Sequence, residues 1–323
     1  MGINGSLLKN IDEVKSPRAA YGETLVELGK TNKDIVVLDA DLSCSTQTCM
    51  FAKEFPDRFF NSGIAEQDMM TTAAGLAIAG KIPFVSTFAM FATARCLDQI
   101  RNSICYPKLN VKIVATHGGI TVGEDGASHQ ALEDVSFMRS IPDMTVIVPS
   151  DYNEVKEAVK YALEVNGPVY IRVSRTNLKT VFDENNYKIN PSAAIKITEG
   201  SDVTIVTNGE TLIEAINAAK LLEKEGIKAE LLHTPVLKPF LAKNDLINSA
   251  KKTGRVITIE NHSIIGGVGS VVCETLSENL PTKVLRIGTN DTFGQSGEQR
   301  VLMEEYGLTA EKLYTKIKKF LNK

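Results

Sequence analysis

The 323-residue chain has no CxxC pair, no Cys/His ligand spacing, no strong charge excess and no apolar run of membrane length. Each lack removes a class of function. Its five cysteines, Cys44, Cys49, Cys96, Cys105 and Cys273, are odd in number and scattered through apolar stretches. They fit a reducing compartment and read as buried hydrophobes, not as a disulfide framework. Lysine and arginine total 36 against 39 acidic residues, a net charge of −3. So weak an acidity argues against a broad nucleic-acid footprint. The longest apolar stretch, Met69–Ala94, contains Lys81 and Pro83 and is diluted by Thr and Gly. It reads as a helix, a turn and a buried strand, not a membrane span. The N-terminus, MGINGSLLKNIDEVKSPR, lacks a signal-peptide core and cleavage pattern. Its Met-Gly with Ser6 meets the myristoylation pattern formally, as so short a motif does by chance. No short-period repeat is present. The expectation is a soluble, cytoplasmic protein.

What is present is ordinary globular material: 43% apolar and 23% charged residues. At about 150 residues per domain the length suggests two domains, each able to build a core without a disulfide or metal. Strand-like runs such as IVVL (Ile35–Leu38), PFVST (Pro83–Thr87), VKIVAT (Val111–Thr116), MTVIV (Met144–Val148) and VYIRVS (Val169–Ser174) alternate with helical patterns near Arg18–Lys30 and Glu66–Ala79. Another helix follows Phe88 to about Cys105, and one after Ser150, which is expected to cap it, runs to Gly167. The polar stretch NLKTVFDENNYKINP (Asn177–Pro191) reads as a linker. Beyond it DVTIVT, AELLHT, RVITIE and KVLRIG are strands, and Thr211–Lys224 is a helix with Leu212, Ile216, Ala219 and Leu222 inward and Gly226 as its stop. The fold class is therefore α/β: two doubly wound domains with mostly parallel sheets. The first covers residues 1–180 and the smaller second one 195–323, with 181–194 between them.

Ligands of doubly wound sheets sit beyond the carboxyl ends of the strands. The residues that follow the predicted strands of the first domain are Asp39, Asp41, Ser43 and Ser45, then Glu66 in GIAEQ, Phe88 and Phe91, His117, Asp125 and His129 in GEDGASHQ, and Arg175. One edge thus gathers a carboxylate, two rings, two of the chain's four histidines and an arginine. A carboxylate against a heteroaromatic base, rings to pack on it and imidazoles for proton transfer suit thiamine diphosphate, an electron-sink cofactor whose aminopyrimidine must be held and tautomerised.

The motifs GIAEQ (Gly63–Gln67), STFAMF (Ser86–Phe91), THGGITVGEDGASHQ (Thr116–Gln130), IPDMTVIVPSD (Ile141–Asp151), VSRTNL (Val173–Leu178) and GTNDTFGQSG (Gly288–Gly297) occur in order over nearly the whole chain. With them the chain resembles the C-terminal half of transketolase running as a separate subunit. The resemblance implies a pyrimidine-binding domain followed by the family's C-terminal domain. It implies transfer of a two-carbon ketol unit from a ketose phosphate to an aldose phosphate through a thiamine diphosphate enamine, in carbohydrate metabolism of the pentose phosphate kind. It also implies roles. Glu66 would hydrogen-bond the aminopyrimidine, and Phe88 and Phe91 would pack on it. His129 would shuttle a proton and Asp125 would read a sugar hydroxyl. Arg18, Ser45, His117 and Arg175 would hold the sugar phosphate. For Glu66, the dipole of a helix start favours the charged form while the role asks for a proton, so burial against the ring must win.

The family's diphosphate and metal site, GDG followed 25–30 residues later by NN, has no counterpart. Gly123–Gly126 reads GEDG, and Asn185-Asn186 lies about sixty residues on, within the linker. The resemblance therefore implies a partner: an N-terminal transketolase subunit that carries the diphosphate and Mg²⁺, most simply in an α₂β₂ assembly. This sequence departs from the family twice. Ala94 stands where a third aromatic is usual, and Gly118 where an Asp is usual. Deoxyxylulose-phosphate synthase and the β chains of 2-oxoacid dehydrogenases share the architecture, and a non-catalytic module of the same fold is the remaining alternative. Outside this set, His262 is expected to be structural, His233 to be a strand-end residue, and Asp41 to have no assigned role.

Overall fold

The computed structural model describes residues 13–322; the Gly2–Ser6 motif lies outside them. Among the described residues the first half supplies β1 (Val14–Lys15), β2 (Ile35–Asp39), β3 (Phe59–Asn61), β4 (Ile82–Ser86), β5 (Lys112–Thr116), β6 (Thr145–Ile147), β7 (Val169–Val173) and β8 (Leu178–Lys179). The second half supplies β9 (Ile195–Thr198), β10 (Val203–Thr207), β11 (Ala229–His233), β12 (Val236–Lys238), β13 (Arg255–Ser263) and β14 (Lys283–Thr289). The strands form a seven-stranded sheet ordered β12-β6-β7-β5-β4-β2-β3 and a five-stranded sheet ordered β14-β13-β10-β11-β9. Within each, the pairs are parallel except at one edge, where β12 and β9 run antiparallel. The central strands are buried along their length, which is why they read as unbroken apolar runs without alternation. The architecture is α/β with two doubly wound units.

Helices cover both faces. Helix Pro17–Thr31 is capped by the Ser16 side chain and opens with proline, a residue pre-set for a first turn. With helix Tyr152–Glu164 it buries one face of the large sheet through Tyr21, Leu25, Val155 and Val159. The cap of Tyr152–Glu164 is Asp151, whose carboxylate accepts from Glu154 N, and not the expected Ser150; the helix ends at Glu164, before Gly167. Asp accepts this bond as well as Ser does, and only the backbone geometry separates two such neighbours. The helix expected from Phe88 to Cys105 is instead a short helix, Ala89–Thr93, followed by a wide π turn, Gln99–Cys105. The other half behaves as expected: Leu212, Ile216, Ala219 and Leu222 are buried and Gly226 takes a φ of +77°.

The two sheets are not separate along the chain. β12, from the second half, pairs with β6 and closes the first sheet. One apolar core runs from Val36, Met69 and Val85 to Val206, Leu232 and Val256. The polar stretch between the halves is anchored as well. β8 pairs with β1, and Phe182 and Tyr187 are buried with their rings 4.2 Å apart. Burying two such rings outweighs the polarity that made the segment read as a free linker.

At this junction Asp151 accepts from the backbone N–H groups of Val181 and Phe182 at 2.6 and 2.8 Å. Glu154 accepts from Ser150 and Tyr187 and faces His233 Nε2 at 2.8 Å. Burial alone would raise the Glu154 carboxyl, yet facing His233 and bonded by Tyr187 and Ser150 it lies below its ordinary value. Burial, reinforced by the neighbouring Glu154, pushes Asp151 up to about 6. His233 is thus an inter-domain partner as well as a strand-end residue.

Candidate active site

The C-terminal ends of β2, β4, β5 and β7 converge on one crevice. Asp39, the last residue of β2, is buried and accepts from Leu42 N, Thr46 Oγ1 and Thr48 Oγ1. These bonds fold the turn Ser43–Thr46, which carries Ser45. The Ser45 carbonyl in turn accepts from Arg18 Nη1 at 2.7 Å. Asp41, with a φ of 63°, donates its N–H to Asn61 Oδ1, which also accepts from Gly63 N. Its place is in the support of the Gly63–Glu66 turn.

After β4 the chain turns into Phe88 and Phe91, whose rings lie nearly parallel with centroids 6.0 Å apart. After β5 comes His117, at the unusual φ of 60° for a non-glycine residue. Its ring stacks on Phe88 at 3.8 Å and its Nδ1 is 2.8 Å from Thr116 Oγ1. Burial, then Arg18, Arg175 and His129, push the His117 imidazole down to about 3, so it is neutral near pH 7. His129 stands edge-on to Phe91 at 5.2 Å and to Phe88 at 6.2 Å. Its Nδ1 lies 3.0 Å from Ser128 Oγ.

Two cations, Arg18 and Arg175, complete the set. Arg175, after β7, donates to the Val122 carbonyl and to Glu124 Oε2. Burial and the charge of Arg175 lower the proton affinity of Arg18, and Arg18 Nε is buried without a partner among the described residues. An orphaned guanidinium N–H within reach of a second cation's charge is what a bound dianion would satisfy. Asp125 is exposed at the end of the turn Ile120–Asp125 and makes no hydrogen bond or ion pair among the described residues.

Glu66 begins helix Glu66–Ile78 and is only 3% exposed. Both its oxygens accept from Arg95 Nη1 at 2.8 Å. Arg95 also covers Phe91, its guanidinium carbon 4.4 Å from the ring centroid. A buried carboxylate beside the face of a ring fits a planar, hydrogen-bonding heterocycle, so the residues present suit the pyrimidine half of thiamine diphosphate.

The structure brings Phe88, Phe91, His117 and His129 into one ring cluster, joins Arg18 to Ser45, and leaves Asp125 exposed. The two departures also have accounts. Gly118 makes room for Arg172, whose Nε an added Cβ would overlap; Arg172 bonds Asn261 O, Ala131 O and Asp134. Ala94 is exposed, and the neighbouring Arg95 takes up the ring face. Sequence reasoning passed over Arg95, although four residues after Phe91 is a spacing at which helical side chains meet. The motif loop Gly288–Gly297, to which the sequence assigned no role, supports the site: Gln130 donates to Gln295 O at 2.9 Å and Ser296 to Glu124 O at 2.6 Å. Of the cysteines, Cys96 and Cys105 are buried, but Cys44 is exposed and Cys49 and Cys273 are half-buried, which corrects the expectation for those three. No helix among the described residues is long and apolar enough to cross a membrane.

Fold and site together define an α/β chain of two doubly wound units with a ring-lined, cationic crevice at the strand ends. Residues 14–180 match the family model for the transketolase pyrimidine binding domain and residues 192–313 that for the transketolase C-terminal domain. A Methanocaldococcus jannaschii chain, provisionally named a transketolase C-terminal section, is 49% identical over 96% of this chain and 97% of its own length. The 6-deoxy-6-sulfo-D-fructose transketolase subunit of Clostridium sp. strain MSTE9 is 42% identical over 92% of this chain and 91% of its own. Among solved structures, a split-gene transketolase described as an inactive β4 tetramer superposes with a TM-score of 0.88, at 52% identity, over 95% of this chain and 99% of that one. The chain belongs to the transketolase family.

Proposed function

We propose that this chain is the C-terminal subunit of a two-chain transketolase, cytoplasmic and most simply α₂β₂. It transfers a two-carbon ketol unit between sugar phosphates only when an N-terminal subunit adds the diphosphate and Mg²⁺ site. The observation that carries this reading is the buried Glu66 carboxylate, joined through Arg95 to the face of Phe91, on the same sheet edge as Arg18 and Arg175. Exposed Ile64 and Ile78, at either end of the Glu66 helix, suit a surface that a partner covers.

Thiamine diphosphate, when bound, supplies the carbanion-stabilising electron sink. Glu66 holds a proton against its pyrimidine nitrogen, and Phe88 and Phe91 wall the ring and exclude water. His129, edge-on to those rings, moves a proton at the reacting oxygen of the sugar. Asp125 accepts from a sugar hydroxyl at the rim. Arg18, Arg175, Ser45 and neutral His117 bind the terminal anion, the guanidiniums by charge and the imidazole by a hydrogen bond.

The test is reconstitution. The chain is purified with a partner of roughly 30 kDa bearing GDG…NN, and transfer is assayed with a ketose phosphate and an aldose phosphate. Transfer by the pair, with little thiamine diphosphate bound by the chain alone, is the expected result; equal turnover by the isolated chain overturns the split site. A parallel donor, 6-deoxy-6-sulfofructose, separates a phosphate from a sulfonate substrate. Carbon dioxide release from pyruvate would instead mark a deoxyxylulose-phosphate synthase or 2-oxoacid dehydrogenase activity.

A further inference from the structure

Arg95 occupies both surfaces that the proposed site needs. Its Nη1 donates to the two oxygens of Glu66, and its guanidinium lies over Phe91 at 4.4 Å. A planar cation, hydrogen-bonded at its edge to a carboxylate and stacked on a phenyl ring, presents the same combination as an aminopyrimidine. The two cannot be there together.

The local structure fits a temporary tenant. The Arg95 side chain is 44% exposed while Glu66 is 3% exposed, so the arginine comes in from the open side. Its backbone carbonyl is fixed by Gln67 Nε2 at 2.9 Å, which leaves only the side chain to move. Ala94, exposed and small, puts no bulk in the way. Without Arg95 the Glu66 carboxylate has no side-chain partner among the described residues, and a buried carboxylate without one is costly.

We infer that Arg95 is a displaceable stand-in for the cofactor's pyrimidine: it satisfies Glu66 and shields Phe91 in the cofactor-free protein and swings out when thiamine diphosphate binds. This rests on the function proposed above. Arg95 is then a positioning residue with two opposed effects. It stabilises the cofactor-free protein and it weakens cofactor binding by competing for the same carboxylate. A merely structural arginine would support both.

The test uses the reconstituted two-chain protein with Mg²⁺. Thiamine diphosphate affinity is measured by titration calorimetry and the cofactor-free melting temperature by circular dichroism, for wild type, Arg95→Ala and Arg95→Lys. The expected result for Arg95→Ala is binding about fivefold tighter, the scale of a lost cation–π contact and ion pair, together with a lower melting temperature without cofactor. Arg95→Lys, which keeps the charge but cannot stack as a plane, falls between. Equal or weaker binding by Arg95→Ala overturns the inference. If that variant does not fold, Arg95→Lys decides alone: binding tighter than wild type supports the inference, and equal or weaker binding overturns it. A folded, assembled wild-type pair that takes up no thiamine diphosphate sinks the functional reading itself, and this inference with it.

Discussion

The crevice at the strand ends and the junction between the halves are built from the same side chains. Each holds acids, histidine and aromatic rings. At the junction both buried carboxylates are answered, although His233 Nδ1 has no partner among the described residues. Glu154 has Ser150, Tyr187 and His233; Asp151 has its helix cap and two linker amides. In the crevice groups are left wanting. Arg18 Nε has no partner, the charge of Arg175 acts on Arg18, and Glu66 relies on an arginine whose side chain is 44% exposed. Buried polar groups are ordinarily satisfied, and an unpartnered N–H on a cation is one that a bound anion would answer. The junction holds the fold; the crevice is arranged for a ligand.

Four measurements would break or sharpen this contrast. The largest effect is expected in the crevice: Glu66→Gln in the reconstituted pair should lower kcat by about 1,000-fold, as for a lost general acid–base group, and near-normal turnover would make Glu66 a bystander. Next is the junction, where His233→Ala strips the buried Glu154 carboxylate of its histidine partner and leaves it Ser150 and Tyr187. It should cost about 3 kcal/mol in urea unfolding while the remaining folded enzyme keeps its kcat; a kinetic defect without a stability loss would reverse the assignment. Third, Arg175→Ala should raise KM for a phosphorylated substrate about 30-fold, on the scale of a charge-assisted bond, leaving kcat and stability close to wild type. An unchanged KM would remove Arg175 from the anion site.

The smallest effect is a pH slope at the junction. With its carboxyl raised to about 6, Asp151 in the folded chain binds its proton more tightly than in the unfolded chain. Its contribution is therefore full below the ordinary carboxylate range and is lost as pH rises through about 6. Asp151→Asn should remove about 2 kcal/mol of the stability change between pH 4 and pH 6. The slope is the readout, because the baseline also falls with the lost amide bonds. An unaltered slope would mean that the charge at Asp151 is not the cost it is taken to be.

Much of the fold was legible because its signals are local. Ile35–Leu38, Val111–Thr116 and Val203–Thr207 are apolar runs of strand length, and Thr211–Glu223 repeats at helical period. The edge residues were legible through the strand-end rule. Less visible were features that depend on a neighbour far along the chain. A polar linker hid Phe182 and Tyr187, which are buried in one core with Ile197, Val203 and Ile205 of the second half. β12 joins a sheet whose other strands all precede it. His233 carried no mark of its partner, 79 residues away.

The sequence by itself determined the alternation of strand and helix, the candidate residues at the strand ends and the absence of the GDG…NN spacing, since each is a matter of periodicity or local order. Only the tertiary structure decided that Arg95 lies on Glu66 and Phe91, that Arg172 fills the space beside Gly118, and that Asp151 and Glu154 bind the halves together. Those are questions of which side chain reaches a given carboxylate or ring first, and reach across space is fixed by packing, not by position in the chain.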